Sequence, residues 1–455
     1  MTAGQGGEGG GDGAECRMQA ALRLARQAVL DRGVVRGAAA VVVHRGQCLA
    51  EGIGERGECG RPVTADTQFQ IGSITKAMTG LLVAQREAAE PGFLESKVRD
   101  HIAWPIHGET TLRHLCTHTS GLPSIWLGLW QRFRFVASAL VLRLQGALAR
   151  VVGSRIARSL PGAGYLESFY ERCDDRTLEA WVRSSAAAAA PGKSGAYSNM
   201  GAGVVGRVLG DYTGLVKSLL DRLHMRRSGL NLATAEPAQG YTANGLPVPW
   251  WTFTGSIIAA GGVYSTANDM AKLCQALLGA GEVAAWFKAA REPLAGMFGM
   301  FWVCREGRSL HNGQTLGFHS FLGVEGDSAV AVLANGAVME IDEVANGMLD
   351  VLIKGHTDKY PPKAVPKSLR VGRAACEPFV GVYDASSLAP GSELKVGYAP
   401  VRRALTLQIT GQPWFAAYLV EGETSVFYAA SVKVTLAFTP HEAKLSQQGV
   451  EFRFV

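Results

Sequence analysis

The stretch Gln70-Ile71-Gly72-Ser73-Ile74-Thr75-Lys76-Ala77-Met78-Thr79-Gly80-Leu81-Leu82 joins two kinds of pattern. Thr67, Phe69 and Ile71 alternate as in a strand, Gly72 marks a turn, and Ile74, Met78, Leu81 and Leu82 form a helical apolar face. Ser73 falls at the helix start, beside free backbone N–H groups and the positive end of the helix dipole. Lys76, three residues on, lies on the same face, with Cβ atoms roughly 5–6 Å apart. A serine hydroxyl attacks well only when a base takes its proton, and a desolvated lysine can be that base. The same spacing has a plain reading as well. Serine is a common N-cap, and Ser392-Glu393-Leu394-Lys395 repeats Ser-x-x-Lys without helical context. Spacing alone does not separate the two.

A chain of 455 residues has room for one large domain and a smaller one. Its 47% hydrophobic and 18% charged composition is that of a soluble globular protein. A net charge of +6 is mild for this length, and no zinc-finger, RNA-recognition or basic-region pattern occurs, so nucleic acid is not an expected partner. The 8 cysteines are scattered, with no C-x-x-C and no Cys/His cluster, which predicts reduced, mostly buried thiols rather than disulfides or zinc. Residues 1–14 are Gly-rich and acidic, without the basic and apolar regions of a signal peptide, and are expected to form a disordered tail. No apolar run is long enough for a transmembrane helix. The expectation is a cytoplasmic protein.

Taken in order, residues 18–30 predict an amphipathic helix, residues 38–44 and 48–53 a hairpin turning at Arg45-Gly46-Gln47, and Glu90-Pro91-Gly92 the stop of the Ser73 helix. A helix over 111–115 runs into Cys116-Thr117-His118-Thr119-Ser120-Gly121-Leu122-Pro123. His118 in that loop is open to a role as ligand or base, and reads first as a structural hydrogen-bonder among hydroxyl side chains. Residues 125–160 hold no acidic residue but arginines at 132, 134, 143, 150, 155 and 158. At roughly 100° per residue Arg132, Arg143 and Arg150 share one stripe opposite a broad apolar face. That pattern suits a helical subdomain with a basic face, a lid, an interfacial helix on anionic lipid, or a dock for an acidic carrier protein. Helices are expected over 176–190, through Val204–Leu209, over 215–223 and, after Gly261-Gly262, through Leu278. Residues 297–303, 311–321 and 329–334 are expected strands that complete the sheet begun by the hairpin, and 340–353 a closing helix. A Lys/Pro-rich stretch without periodicity reads as a linker at 354–370, and beyond it clean period-two alternation predicts a small antiparallel β-domain.

Three short elements stand in order: Ser73-x-x-Lys76, Tyr197-Ser198-Asn199 and His311-Asn312-Gly313. With the 117–123 segment and Gly261-Gly262-Val263-Tyr264-Ser265-Thr266, they make the chain similar to the class C β-lactamase family of active-site serine enzymes. That family also holds D-amino-acid peptidases, carboxylesterases and acyltransferases. The resemblance covers about residues 15–353, with a helical insertion at 125–190, and residues 371–455 resemble the lipocalin-like domain appended to several members.

The resemblance implies an α+β fold, an antiparallel sheet flanked by helices with a mostly helical subdomain, and a site between them. It implies Ser73 as the nucleophile of an acyl-enzyme, with Lys76 and Tyr197 sharing the proton transfers. Asn199 is expected to hydrogen-bond Lys76 or the acyl amide. His311, Asn312 and Gly313 stand where β-lactamases carry Lys-Thr-Gly, with Asn312 and Gly313 lining the substrate. The backbone N–H groups of Ser73 and Gln314 are expected to form the oxyanion hole, about 3 kcal/mol per donor. No metal or organic cofactor is implied. Histidine in place of the third-motif lysine removes a permanent cation, a pattern more familiar in esterase, peptidase and transacylase members than in penicillin-destroying enzymes. The expected activity is a serine hydrolase acting on a small-molecule or peptide ester or amide. The alternatives are a transacylase passing the acyl group to an amine, a true β-lactamase, and a catalytically silent scaffold.

Overall fold

The computed structural model describes residues 10–58, 60–124, 170–185, 190–193, 195–231, 235–243, 245, 247–305, 307–358, 368–386, 390–400, 403–410, 415–429, 434–439, 442–447 and 450–454. The chain opens with α1 (Gly10–Arg26), which ends in a π turn over Gln27–Asp31. This helix starts inside the stretch expected to be a disordered tail. Arg17 explains the difference, because its guanidinium donates to the carbonyls of Leu352 at 2.9 Å and Ile353 at 3.1 Å. Ala14 and Met18 are also buried. Docking thus outweighs the poor helix propensity of Gly10, Gly11 and Gly13.

The hairpin β1 (Gly37–His44) and β2 (Gln47–Gly54) follows, with positive φ at both turn residues, Arg45 (50°) and Gly46 (79°), as a two-residue hairpin turn requires. Next come β3 (Phe69–Gln70), α2 (Ile74–Ala89) and α3 (Leu112–Cys116). The helical part holds α4 (Asp175–Ser185), α5 (Asn199–Leu209) and α6 (Tyr212–Arg222), followed by the short strands β4 (Gly229–Leu230), β5 (Gly240–Tyr241), β6 (Pro247–Val248) and β7 (Val263–Ser265). The arginine stripe, Arg132, Arg143 and Arg150, lies outside the described residues, as does most of the expected 125–190 insertion.

Two helices, α7 (Ala267–Leu278) and α8 (Glu282–Ala290), precede the strands β8 (Val303–Arg305), β9 (Arg308–Gln314), β10 (His319–Glu325) and β11 (Ser328–Ala334), and α9 (Glu340–Lys354) closes the domain. The sheet runs antiparallel in the order β2-β1-β11-β10-β9-β8, so the late strands complete the hairpin's sheet as expected. Their boundaries differ from the expectation. Residues 297–302 form only isolated bridges, and the expected 311–321 strand is two strands joined by a turn in which Thr315 N–H donates to Phe318 C=O at 3.0 Å. Helix α8 was not anticipated between Gly281 and Pro293, although its buried Val283, Trp286, Phe287 and Ala290 recur at helical spacing.

Both faces of the sheet are covered. On β1, Ala39, Val41 and Val43 face the cluster that contains α2 and α7, while Ala38, Ala40 and Val42 face the cluster of α1 and α9. That two-sided burial is why β1 reads as an unbroken apolar run rather than an alternating one. In the terminal domain, Ser368–Leu369 pairs with Phe415–Val420, so the end of the expected linker already belongs to the second sheet. Eight further strands between Gly381 and Phe454 pair antiparallel in chain order and form a barrel-like sheet around Leu394, Leu405, Leu407, Phe427, Leu436 and Phe454. No described helix is long and apolar enough to cross a membrane.

Helix α2 is held against the 297–302 segment so closely that a Cβ on Gly80 would stand 2.0 Å from the Met300 carbonyl oxygen. Met300 is itself pinned, its N–H donating to Ala290 C=O at 2.7 Å. Gly80→Ala is expected to destabilise the fold by about 1–3 kcal/mol through overpacking, against the usual gain in helix propensity. Urea denaturation of the two proteins reads this; equal or greater stability of the variant would contradict it.

Candidate active site

Ser73 is the partly exposed residue in a run, 67–84, that is otherwise almost wholly buried. It stands at the N-cap of α2 but makes no side-chain capping hydrogen bond, so its hydroxyl is not spent on the helix end. Lys76 Nζ lies 3.0 Å from Ser73 Oγ and donates to the Ala260 carbonyl at 2.6 Å. The lysine is fully buried, and desolvation drives its pKa well below the ordinary 10.5. An amine shifted towards its neutral form and touching the hydroxyl is placed to accept its proton. The other Ser-x-x-Lys behaves differently. Lys395 is exposed, its Nζ 3.4 Å from Glu393, and Ser392 Oγ points to the Gly195 carbonyl at 3.5 Å.

Tyr197 enters from the loop before α5 and places its ring under Lys76, whose Nζ stands 4.9 Å from the ring centroid. Burial pushes the phenol's pKa up, the Ser73 hydroxyl bonded beside it pulls the other way, and Tyr170 adds a smaller upward push. Tyr197 therefore rests protonated. The Tyr197 ring also meets His118 at 4.6 Å and His311 at 6.4 Å between centroids.

Strand β9 presents its two faces to different neighbours. His311 and Gly313 face α2 and the serine. A Cβ on Gly313 would stand 2.0 Å from Ile71 O and 2.8 Å from Ser73 N, and one on Gly72 (φ +48°) would stand 2.8 Å from Gln314 N. Side chains are excluded at both positions, so the backbones of the serine turn and β9 meet directly. Ser73 N–H makes no hydrogen bond among the described residues. Because Thr315 and Phe318 form a hydrogen-bonded pair, antiparallel alternation turns the Gln314 N–H away from β10 and towards this junction. The two expected oxyanion donors thus flank one spot.

His311 is buried, its Nδ1 donating to its neighbour's carbonyl, Asn312 O, at 2.6 Å. Desolvation and the nearby Lys76 lower its pKa to about 4, outweighing the upward pull of the Asn312 carbonyl and Asp342. It is a neutral group at ordinary pH, unlike the lysine it stands for.

The expected contact of Asn199 with Lys76 and the expected substrate-lining place of Asn312 are not met by the geometry. Asn199 Nδ2 donates to Tyr170 Oη at 2.9 Å and Ser124 Oγ at 3.3 Å, not to Lys76, whose amine is taken by the Ala260 carbonyl. Asn312 faces the opposite side of β9, where its amide donates to Asp342 Oδ2 on α9 at 2.8 Å. In a strand the side chains alternate, so a residue flanked by inward-facing His311 and Gly313 must point away from the substrate. Asp342 also meets His319 Nε2 at 2.7 Å, which makes this a buried structural network behind the site. Sequence reading passed over Tyr170, which stacks on Phe253 at 4.8 Å and meets Trp251 edge-on at 5.8 Å, forming an aromatic wall beside Asn199.

The family model for beta-lactamase matches residues 22–352. The chain belongs to the beta-lactamase family. Esterase EstB of Burkholderia gladioli is 37% identical over 111 residues, 22% of this chain and 28% of that protein. An uncharacterized protein of Alkalihalophilus pseudofirmus is 31% identical over 104 residues, 21% of this chain and 30% of that one. The chain thus matches less than a third of the length of these curated relatives. Among solved structures, the octameric penicillin-binding protein homologue from Pyrococcus abyssi superposes with a TM-score of 0.59 at 20% identity, over 96% of this chain and 99% of that one. A class C beta lactamase from Rhodobacter sphaeroides gives 0.55 at 20% identity over 74% of this chain and 99% of its own. The first of these likenesses extends over the terminal β-domain, and both concern the fold alone.

The lysine's environment has a pH signature. Between its folded pKa and 10.5 the folded protein binds fewer protons at Lys76 than the unfolded chain does, so this site makes stability rise with pH through that window. Lys76→Met is expected to flatten the slope measured by denaturation at several pH values. Turnover in the native enzyme should rise with pH as Lys76 loses its proton. His311→Asn should leave that inflection in place, since His311 is uncharged above about pH 4. A large displacement of the inflection in His311→Asn would count against this assignment.

Proposed function

We propose that the protein is a serine hydrolase that cleaves an ester or amide through an acyl-enzyme on Ser73. The observation that carries the reading is Lys76, buried, driven towards its neutral form, and 3.0 Å from Ser73 Oγ. Lys76 takes the hydroxyl proton as Oγ bonds to the substrate carbonyl carbon. The negative charge moves to the carbonyl oxygen, between the N–H groups of Ser73 and Gln314. Collapse re-forms the carbonyl and breaks the bond to the leaving alcohol or amine. That leaving group takes a proton from Tyr197 as Lys76 returns one to the phenol. Water, giving its proton to the same pair, then attacks the acyl ester, releases the acid and restores Ser73.

The neutral His311 bears on substrate class. A beta-lactam carboxylate is best held by a permanent cation, and His311 does not supply one above about pH 4. Esters and amides without a carboxylate at that position suit the site better. The partial match to an esterase points the same way.

A fluorophosphonate probe followed by intact mass is expected to add one adduct to the wild type and none to Ser73→Ala. Absence of an adduct with any acylating probe would leave a silent scaffold as the reading. The acceptor is read from the trapped acyl-enzyme. Hydrolysis predicts decay indifferent to added amines, whereas faster decay with an amide product would identify a transacylase.

A further inference from the structure

His118 is held in a conformation that its residue type does not favour. It follows α3 with φ +59°, a left-handed position usually given to glycine or asparagine, and is 1% exposed. What it touches there is the backbone on both sides of Tyr197. Its carbonyl accepts the Ala196 N–H at 2.8 Å, and its ring Nδ1 accepts the Ser198 N–H at 3.2 Å. Between these two bonds its ring lies against the Tyr197 ring, centroids 4.6 Å apart and planes tilted by 41°.

We infer that His118 is a positioning residue for Tyr197: by gripping residues 196 and 198 and backing the phenol ring, it fixes the Tyr197 hydroxyl beside Ser73. Its chemistry suits that task and not proton transfer. Burial, together with Lys76 and His311 nearby, keeps the imidazole neutral. With Nδ1 accepting, the proton sits on Nε2, which is buried without a hydrogen-bond partner among the described residues and lies in a pocket with Phe298 and Phe301, ring centroids 5.3 and 5.4 Å away. A shuttle would need Nε2 to reach a reacting group. The loop that His118 grips is anchored further by Ser198, whose hydroxyl donates to Pro123 C=O and accepts the Gly201 N–H, each at 2.8 Å. Without the imidazole, the tyrosine keeps its tethered loop but loses the ring packed against its own.

The inference rests on the role proposed for Tyr197, and the test separates the two. His118→Asn keeps an acceptor oxygen where Nδ1 stood and tolerates positive φ, whereas His118→Gly suits the backbone but has no acceptor. Turnover of an activated ester is measured for both, with Tyr197→Phe alongside and melting curves to establish folding. His118→Gly is expected to lose about a hundredfold in kcat with little change in KM, the cost of a small misplacement of a reacting group. His118→Asn should stay within about tenfold of the wild type, since it keeps the acceptor for the Ser198 N–H and loses only the ring contact. Equal kcat in the two variants, whether high or low, overturns the clamp. If His118→Gly does not fold, His118→Gln replaces it, because its longer side chain carries the amide past the Nδ1 position, and the same comparison decides. An inactive Tyr197→Phe with both His118 variants at wild-type turnover removes this inference alone. Full activity in Tyr197→Phe removes the tyrosine's role, and the positioning inference with it.

Discussion

The structure depends on keeping one amine dry. Lys76 sits on the third residue after the serine, wholly buried, with the Ala260 carbonyl at 2.6 Å and Ser73 Oγ at 3.0 Å as its polar company. An ammonium there would pay a desolvation penalty of several kcal/mol, about what a buried unpaired ion costs after relaxation. Burial therefore shifts the amine towards its neutral form, the form able to accept a proton. Everything around it serves that exclusion of water: α2 pressed against Met300, the Tyr197 ring beneath Nζ, and β9 across the mouth.

The second constraint is the meeting of backbones. Gly72 and Gly313 let the serine turn and β9 approach until the backbone nitrogens of Ser73 and Gln314 both lie at their junction. A strand that lies this close needs support from behind. On its far face Arg308 donates to Glu325, Asn346 and Asp350 at 2.8, 2.7 and 3.2 Å, and Asn312 to Asp342 at 2.8 Å. Buried carboxylates on α9 thereby set the plane of the strand whose other face carries His311. The terminal β-domain touches the same rim, with Phe452 under the Arg305 guanidinium at 4.8 Å and Ser392 at Gly195.

These contacts separate chemistry from support along one strand. His311 and Asn312 are neighbours in sequence and belong to different structures, the first to the cleft and the second to the sheet–helix interface. Asn199 likewise serves an aromatic wall through Tyr170 rather than the lysine. Tyr197 and His118 are far apart in the chain, yet their loops are stitched together by backbone hydrogen bonds.

What the sequence determined by itself was local. Apolar periodicity placed the hairpin, α2, α9 and the terminal strands, because side-chain spacing on a helix or strand repeats over a few residues. Helical spacing likewise put Ser73 and Lys76 on one face. Residue order and type were enough to suggest the family. The start of α1 within a glycine-rich stretch was not legible this way, since distant partners such as the Leu352 carbonyl decide it. Residue order already favoured Ser73-x-x-Lys76 over Ser392-x-x-Lys395, and the tertiary structure shows the physical difference between them. Desolvation is set by neighbours in space, so it depresses the pKa of buried Lys76 and leaves exposed Lys395 in water. The same reason decided which face of β9 meets the serine and which residues hold Tyr197. Burial and hydrogen-bond partners belong to the packed chain, and spacing along the sequence does not contain them.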